Sequence, residues 1–460
     1  MTSIRAPLAV LRALLDLGTF RHDDDGATHP DSATYDGVVT GTGQVGGRRV
    51  AVFAQDSSFR GGSIGAAHGK AIANAIRAAA SAGMPIIGIW NGGGARLQEG
   101  VAALAAVGEI FSANLAARGR IPQISVILGP CAGAACYSPA LGDFVIMVRG
   151  SSQMFLTGPA VTADVIGEHL PAERLGGCEI HAHNGVADLI ADTPEQALAQ
   201  TRNLLAYLSP PPSVSLTPAP LTAEIATLSG VGSPGKTYDI VPVLETIFDG
   251  ASLLPLQPEY SPNIFTGLAK LEGQPVAVVA SQPRSLAGAL DAAATSKAAH
   301  FITTMTRLHL PIITLVDVPG FLPGVVQEKA GIIRAGASLV AAYLNSDVPK
   351  VTVILRKAFG GAYLALGSKA MGADRVLAWV NAEVAVMGAP GIVDITHRRE
   401  LDALAIVDQN AATARREHLI AELAAGQDSL ATALELGEID EVITPEQTRD
   451  RLLAALSQAR

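Results

Sequence analysis

Three stretches from the first half of this 460-residue chain recur in the second half, in the same order. "VVTGTGQVGGRRVAVFAQ" at 38–55 pairs with "IFTGLAKLEGQPVAVVAS" at 264–281. "MPIIGIWNGGGARLQEG" pairs with "LPIITLVDVPGFLPGVVQEKAG", and "PQISVILGPCAGAACY" with "PKVTVILRKAFGGAYL". The separations are 226 from Thr40 to Thr266, 226 from Pro85 to Pro311 and 227 from Pro122 to Pro349. So constant an offset means a duplicated domain, and it is far too long for a solenoid period. Whatever fold one copy takes, the other must take too. The Pro-, Ser- and Gly-rich run "LSPPPSVSLTPAPLTAEIATLSGVGSPGKTYD" lies between the copies and reads as a linker. The expected division is a domain over 1–210, a linker over 211–234 and a domain over 235–460.

Within each copy, short Val/Ile-rich runs alternate with Ala-rich helical stretches such as "HGKAIANAIRAAASAG" and Val101 to Phe111. "PIIGIW", "QISVILG" and "DFVIMV" are nearly continuous apolar runs, as strands buried on both faces require. Repeated strand–strand–helix units predict an α/β fold with layered sheets. The chain carries 33 Lys and Arg against 42 Asp and Glu, a net charge of −9. That balance gives no nucleic-acid footprint, though a local basic pocket for an anionic ligand remains compatible with it. Three cysteines are too few for a disulfide framework or a four-thiolate zinc site. Cys131 and Cys136 sit in an apolar Gly-Ala segment and read as buried small side chains. No apolar run reaches the roughly 18 residues of a membrane span. "IRAPLAVLRALLDLGTF" holds Arg12 and Asp16 within its apolar stretch, so it reads as an amphipathic helix rather than a signal peptide. A cytoplasmic protein is the expectation.

The motifs that could carry chemistry are made of backbone. Gly41, Gly43 and Gly46 match a dinucleotide fingerprint, but a strand follows them where a helix should open, so they predict a hairpin. "NGGGAR", Asn91 to Arg96, follows a strand and precedes a helix, where clustered glycines let a ligand approach the main chain. Arg96 could pair a phosphate or a structural carboxylate such as Glu99. "CAGAAC" at 131–136 and "FGGAYL" at 359–364 each end a buried strand in small residues and begin a helix. The unpaired N–H groups of a helix start are donors for a developing oxyanion, and small residues permit its approach. Titratable residues offer little: His68, His181 and His183 form no metal spacing, no nucleophile elbow is present, and Ser138 reads as a helix cap.

"FAQDSSFRGGSIGAAHGK", "NGGGARLQEGV", "GPCAGAACYSPA", "MFLTGP", "VDVPGFLPG", "RKAFGGAY" and "AVMGAPG" together resemble the carboxyltransferase (β) subunits of biotin-dependent acyl-CoA carboxylases, of the propionyl-CoA carboxylase type. The resemblance implies two tandem crotonase-like domains per chain and a homohexamer of two stacked trimeric rings. It places the active site between the N-domain of one subunit, which holds the acyl-CoA, and the C-domain of its neighbour, which holds carboxybiotin. Gly361 and Ala362 would then serve the ureido oxygen of biotin. Gly133 and Ala134 would serve the thioester oxygen as it becomes an enolate. The discharged biotin anion would take the α-proton, so no protein base is needed. Gly92, Gly93, Gly94, Ala95, Arg96 and Lys70 fall on the acyl-CoA side of that scheme. The biotin would arrive on a separate biotin carboxylase/biotin carboxyl carrier subunit, because no "MKM" biotinylation site lies in this chain; no metal is expected in it. Three departures matter: Ala134 stands where relatives often have Gly, Lys70 falls one place early, and Leu364 replaces the Asp that propionyl-preferring relatives place after "GGAY". Leu364 favours a different, larger or more apolar acyl group. The alternatives are a decarboxylase or transcarboxylase component, a stand-alone alkylmalonyl-CoA decarboxylase, or a non-catalytic scaffold of a carboxylase complex.

Overall fold

The computed structural model describes residues 6–208, 236–426 and 429–458, so the expected linker lies outside the described residues. They divide into two compact units. One holds the described residues through Leu208 together with Leu256–Tyr260, and the other holds the rest. The segment Leu256–Tyr260 goes with the first unit because Gln257 bonds within it. The Gln257 Nε2 donates to the Gly185 carbonyl and to Asp188 Oδ1, each at 2.9 Å.

The first unit builds an eight-stranded sheet from β1 (Arg21–His22), β2 (Val38–Val45), β3 (Arg48–Gln55), β4 (Ile86–Gly92), β5 (Gln123–Ala132), β6 (Phe144–Val148), β7 (Gln153–Phe155) and β8 (Leu189–Ala191). Its order is β1-β2-β3-β4-β5-β6-β8, with β7 paired to the end of β5. The second sheet uses β9 (Leu254–Leu256), β10 (Ile264–Leu271), β11 (Gln274–Ser281), β12 (Ile312–Val318), β13 (Lys350–Phe359), β14 (Arg375–Trp379), β15 (Glu383–Ala385) and β16 (Glu441–Ile443). Its order is β16-β14-β13-β12-β11-β10-β9, with β15 paired to the end of β13. The two sheets repeat one topology, as the duplicated sequence requires.

Each copy opens on an antiparallel hairpin, β2–β3 or β10–β11, and continues with parallel strands. The first hairpin turns at Gly46 and Gly47, both at positive φ, so the glycine fingerprint is a hairpin. Every residue of β4 and of β12 is buried, which is why these strands read as unbroken apolar runs. The Ala- and Gly-rich composition has a packing reason. Helix Ala66–Ser81 lies so close to helix Val101–Ala117 that a Cβ on Gly69 would stand 2.7 Å from the Ala106 Cβ.

An identical clip closes each hairpin, made by residues far apart in the chain. In the first unit the Asp16 carboxylate accepts from the Gly46 and Gly47 N–H groups and pairs with Arg202 at 2.8 Å. In the second, Asp249 accepts from Glu272 and Gly273 and pairs with Arg449 at 2.6 Å. Asp16 also sits just past the first helix, which runs only from Pro7 to Leu14, shorter than the apolar stretch suggested.

Candidate active site

In both units the central strand is bent just before its helix. Trp90 pairs with Ile127 but Gly92 with Cys131, and Val316 with Ile354 but Val318 with Ala358. Each time, a step of two residues on the inner strand is matched by a step of four on its neighbour. Such a bulge turns the strand end away from the ladder. The freed ends, Pro130–Ala132 and Lys357–Phe359, pair instead with β7 and β15. Beyond them lie the two turns.

In the first unit a 3₁₀ turn begins at Gly133, φ +63°, and runs to Cys136. The matching residue in register is Gly360, φ +59°, which opens helix Gly360–Ala365. A left-handed residue at that point is what glycine permits. Neither start has a side-chain cap, so its first N–H groups have no partner inside the helix or from the N-cap side chain. By register, Gly133 and Ala134 correspond to Gly360 and Gly361, one residue ahead of the pair Gly361 and Ala362. A Cβ on Gly133 would meet nothing within 4 Å, whereas one on its counterpart Gly360 would stand 2.9 Å from the Val386 carbonyl; the next residue, Gly361, is open, with only Phe321 at 3.8 Å. The Cys136 thiol donates to the Gly133 carbonyl at 3.0 Å and braces the first turn. Cys131, Cys136 and Cys178 are all buried, and burial pushes each thiol up from its ordinary pKa.

The loop Asn91–Arg96 packs main chain on main chain. A Cβ on Gly92 would stand 2.1 Å from the Gly62 carbonyl, and one on Gly94 2.5 Å from the Ala132 carbonyl. The Gly93 N–H donates to Gly61, while Ile64 and the loop exchange bonds through Gly94 and Arg96. Gly93 itself is exposed and Ala95 half-buried. Arg96 is buried, with Nη1 on Asp36 and, at 2.6 Å, on Glu99, and Nη2 donating to the Ser63 carbonyl at 2.9 Å. Its guanidinium therefore ties this loop, whose Gly94 packs against the strand end before the first turn, to two carboxylates. Lys70 lies exposed on helix Ala66–Ser81.

The second turn is held by a pair that sequence reasoning passed over. Asp317, in "VDVPGF", is wholly buried, and its carboxylate lies 2.9 Å from Arg356 of "RKAFGG". Arg356 also donates to the Lys236 carbonyl. This ion pair pins β12 to β13 at the bulge. A charged pair spaced 39 residues apart at two strand ends was the available signal.

Beside the second turn lies a cavity of about 690 Å³ lined by Gly360, Gly361, Tyr363, Leu364, Val386, Ile392, Leu436 and Glu438, among others. Its size suits a small organic ligand. Leu364 is 46% exposed, whereas Ala362 is buried.

The histidines and Ser138 have other work. His68 is buried between the Asp36 carbonyl and Gln55. His181 bonds the Met154 carbonyl. Ser138 is not a cap: it lies inside helix Tyr137–Leu141 and its hydroxyl lies 2.7 Å from Asn114 Oδ1. The fold does bring His183 beside Glu179 and Glu259, a grouping invisible in sequence, but Arg149 pairs with both carboxylates. Among the described residues no helix is long and apolar enough to cross a membrane.

Two repeated α/β sheets, each ending in an uncapped backbone turn, make a tandem crotonase-like fold. The family model for the carboxyl transferase domain matches residues 8–460, and the chain belongs to that family. It is a biotin-dependent acyl-CoA carboxyltransferase. It is 45% identical over 458 residues to a propionyl-CoA carboxylase carboxyltransferase subunit of Haloferax mediterranei, covering 96% of this chain and 88% of that one. It is 44% identical to the alpha subunit of a methylmalonyl-CoA decarboxylase of Veillonella parvula, over 92% of this chain and 82% of that one. A solved transcarboxylase 12S structure, described as a hexamer with methylmalonyl-coenzyme A and methylmalonic acid bound, superposes with a TM-score of 0.89 at 37% identity. That match covers 98% of this chain and 89% of the other.

Proposed function

We propose that the chain moves a carboxyl group between carboxybiotin and the α-carbon of an acyl-CoA, either propionyl-CoA or a larger acyl group, using the two backbone turns as oxyanion sites. The observation that carries this reading is the repeated turn: a left-handed glycine and no side-chain cap at the same register position in both units. The Gly133–Ala134 turn receives the thioester oxygen. Its N–H groups stabilise the charge that gathers there when the α-proton leaves, and a donor of this kind is typically worth about 3 kcal/mol in the transition state. The Gly361–Ala362 turn receives the ureido oxygen of biotin.

The residues fit both groups. The second turn borders a cavity of ring-accommodating size with mostly apolar walls, and the first opens to space that a thioester oxygen can enter. Biotin, carried in on a separate biotin carboxylase/biotin carboxyl carrier subunit, supplies the carboxyl group and, once discharged, the base. Exposed Lys70 suits a CoA phosphate as a surface cation. Gly92, Gly94 and Arg96 keep the neighbouring loop in place, leaving Gly93 and Ala95 toward the ligand side. Leu364 sets an apolar wall and so favours the larger acyl groups. The direction of transfer belongs to the partner, because one site lowers the barrier for both.

The test is the reverse reaction on the purified chain, with free biotin and malonyl-, methylmalonyl- or longer alkylmalonyl-CoA. Biotin-dependent release of CO2 is expected, fastest with an alkylated substrate. Turnover that ignores biotin, or none at all from a correctly folded assembly, overturns the reading.

A further inference from the structure

The cavity beside the second turn makes three separate chemical demands. The turn offers N–H donors, Leu364, Val386, Ile392 and Leu436 offer apolar wall, and Glu438, beside the hydroxyl residues Ser429 and Thr432, is the one charged residue of the lining among the described residues. A carboxylate needs a donor. A ligand that uses the whole lining therefore carries both a hydrogen-bond acceptor and an N–H donor on an apolar body. A cyclic urea, with its carbonyl flanked by ring N–H groups, meets all three demands; a phosphate or a free carboxylate does not.

Tyr363 lines the same cavity, is 5% exposed, and its hydroxyl has no hydrogen-bond partner among the described residues. A buried hydroxyl left unpaired is costly enough that its partner is usually supplied by a ligand or water. Burial, reinforced by the nearby Glu438 charge, pushes the phenol up to about 12, so it remains a donor at neutral pH.

Resting on the reading of the second turn as the biotin site, we propose that Glu438 and Tyr363 are positioning residues for the ureido ring. Glu438 accepts the ring N–H that stays free when the other nitrogen carries the carboxyl group. Tyr363 donates its hydroxyl to the ring carbonyl. Together with the turn, they fix the ring by its carbonyl and its N–H at once, and so decide which nitrogen faces the acyl group.

The test is direct binding of biocytin to the assembled protein without acyl-CoA, read by ligand-observed NMR, beside steady-state kinetics. Glu438→Leu and Tyr363→Phe should each weaken biocytin about 10-fold or more and raise KM for free biotin, with KM for the acyl-CoA unchanged. Glu438→Gln, which keeps an acceptor oxygen, should recover part of the loss. Biotin methylated on the non-carboxylated ring nitrogen should bind wild type and Glu438→Leu alike. Variants that bind biocytin as wild type does overturn this inference and leave the site assignment standing. Wild type that neither binds biocytin nor turns over with biotin overturns the assignment itself. Tyr363→Phe removes a hydroxyl with no partner among the described residues, so its melting temperature should hold or rise.

Discussion

His68 is wholly buried, its Nδ1 2.9 Å from the Asp36 carbonyl and its Nε2 beside Gln55. Burial holds its pKa down to about 4, against about 6.5 in an unfolded chain. Above pH 6.5 neither state carries the proton, and the stability contributed by the neutral ring is complete. As pH falls from 6.5 toward 4 the unfolded chain takes up a proton that the fold refuses, and that stability is lost. Melting temperatures between pH 7 and 4.5 should therefore fall more steeply for wild type than for His68→Gln. Residues such as this show where single-sequence reasoning stops. His68 was visible as a histidine near glycines, but that Asp36 would meet its ring through a carbonyl and its backbone N–H through the carboxylate is decided only by the fold. Arg96 is similar: the choice between phosphate and carboxylate was open in sequence, and Asp36, 60 positions away, contributes to the pairing seen.

At the scale of elements, the helices pack closely because they carry glycine and alanine where they touch. Gly69→Leu would drive a side chain into Ala106, and overpacking of this kind costs about 1–3 kcal/mol. Gly108 lies in helix Val101–Ala117 with nothing within 4 Å of an added Cβ, so Gly108→Ala should instead stabilise by about 0.5–1 kcal/mol. Denaturant midpoints of the two variants, moving in opposite directions, would check both. Strands and helices were legible here because the periodicity is local. The bulges before the two turns were not, since a bulge is a mismatch between two strands and neither strand alone encodes it. The hairpin clips made by Asp16 with Arg202 and by Asp249 with Arg449 escaped for the same reason: each joins residues about 200 positions apart.

For the whole molecule, the surface is the informative part. Val161, Val165 and Ile166 of helix Pro159–Ile166 are 53, 74 and 63% exposed, and that helix buries nothing. In the second unit Val386, Ile395, Ile406 and Val407 are 87, 63, 87 and 84% exposed. Apolar side chains gathered this way mark surfaces that another chain covers. We expect a homohexamer, so light scattering should return a mass several times the 47.2 kDa chain. Val165→Glu or Val407→Glu should lower both that mass and the activity, while a stable monomer of full activity would refute the assembly.

The sequence by itself determined the duplication, the α/β class and the two small-residue turns. These are written in repeats, periodicity and residue size, all of which act over short stretches of chain. Tertiary structure alone decided that Asp317 and Arg356 would brace the second turn and that Arg96 would be neutralised. It alone put Tyr363 and Glu438 on one cavity, 75 residues apart in the chain. Such pairings depend on which strand ends the sheet order brings together. That order follows from the summed burial of many side chains, so no single motif could reveal it.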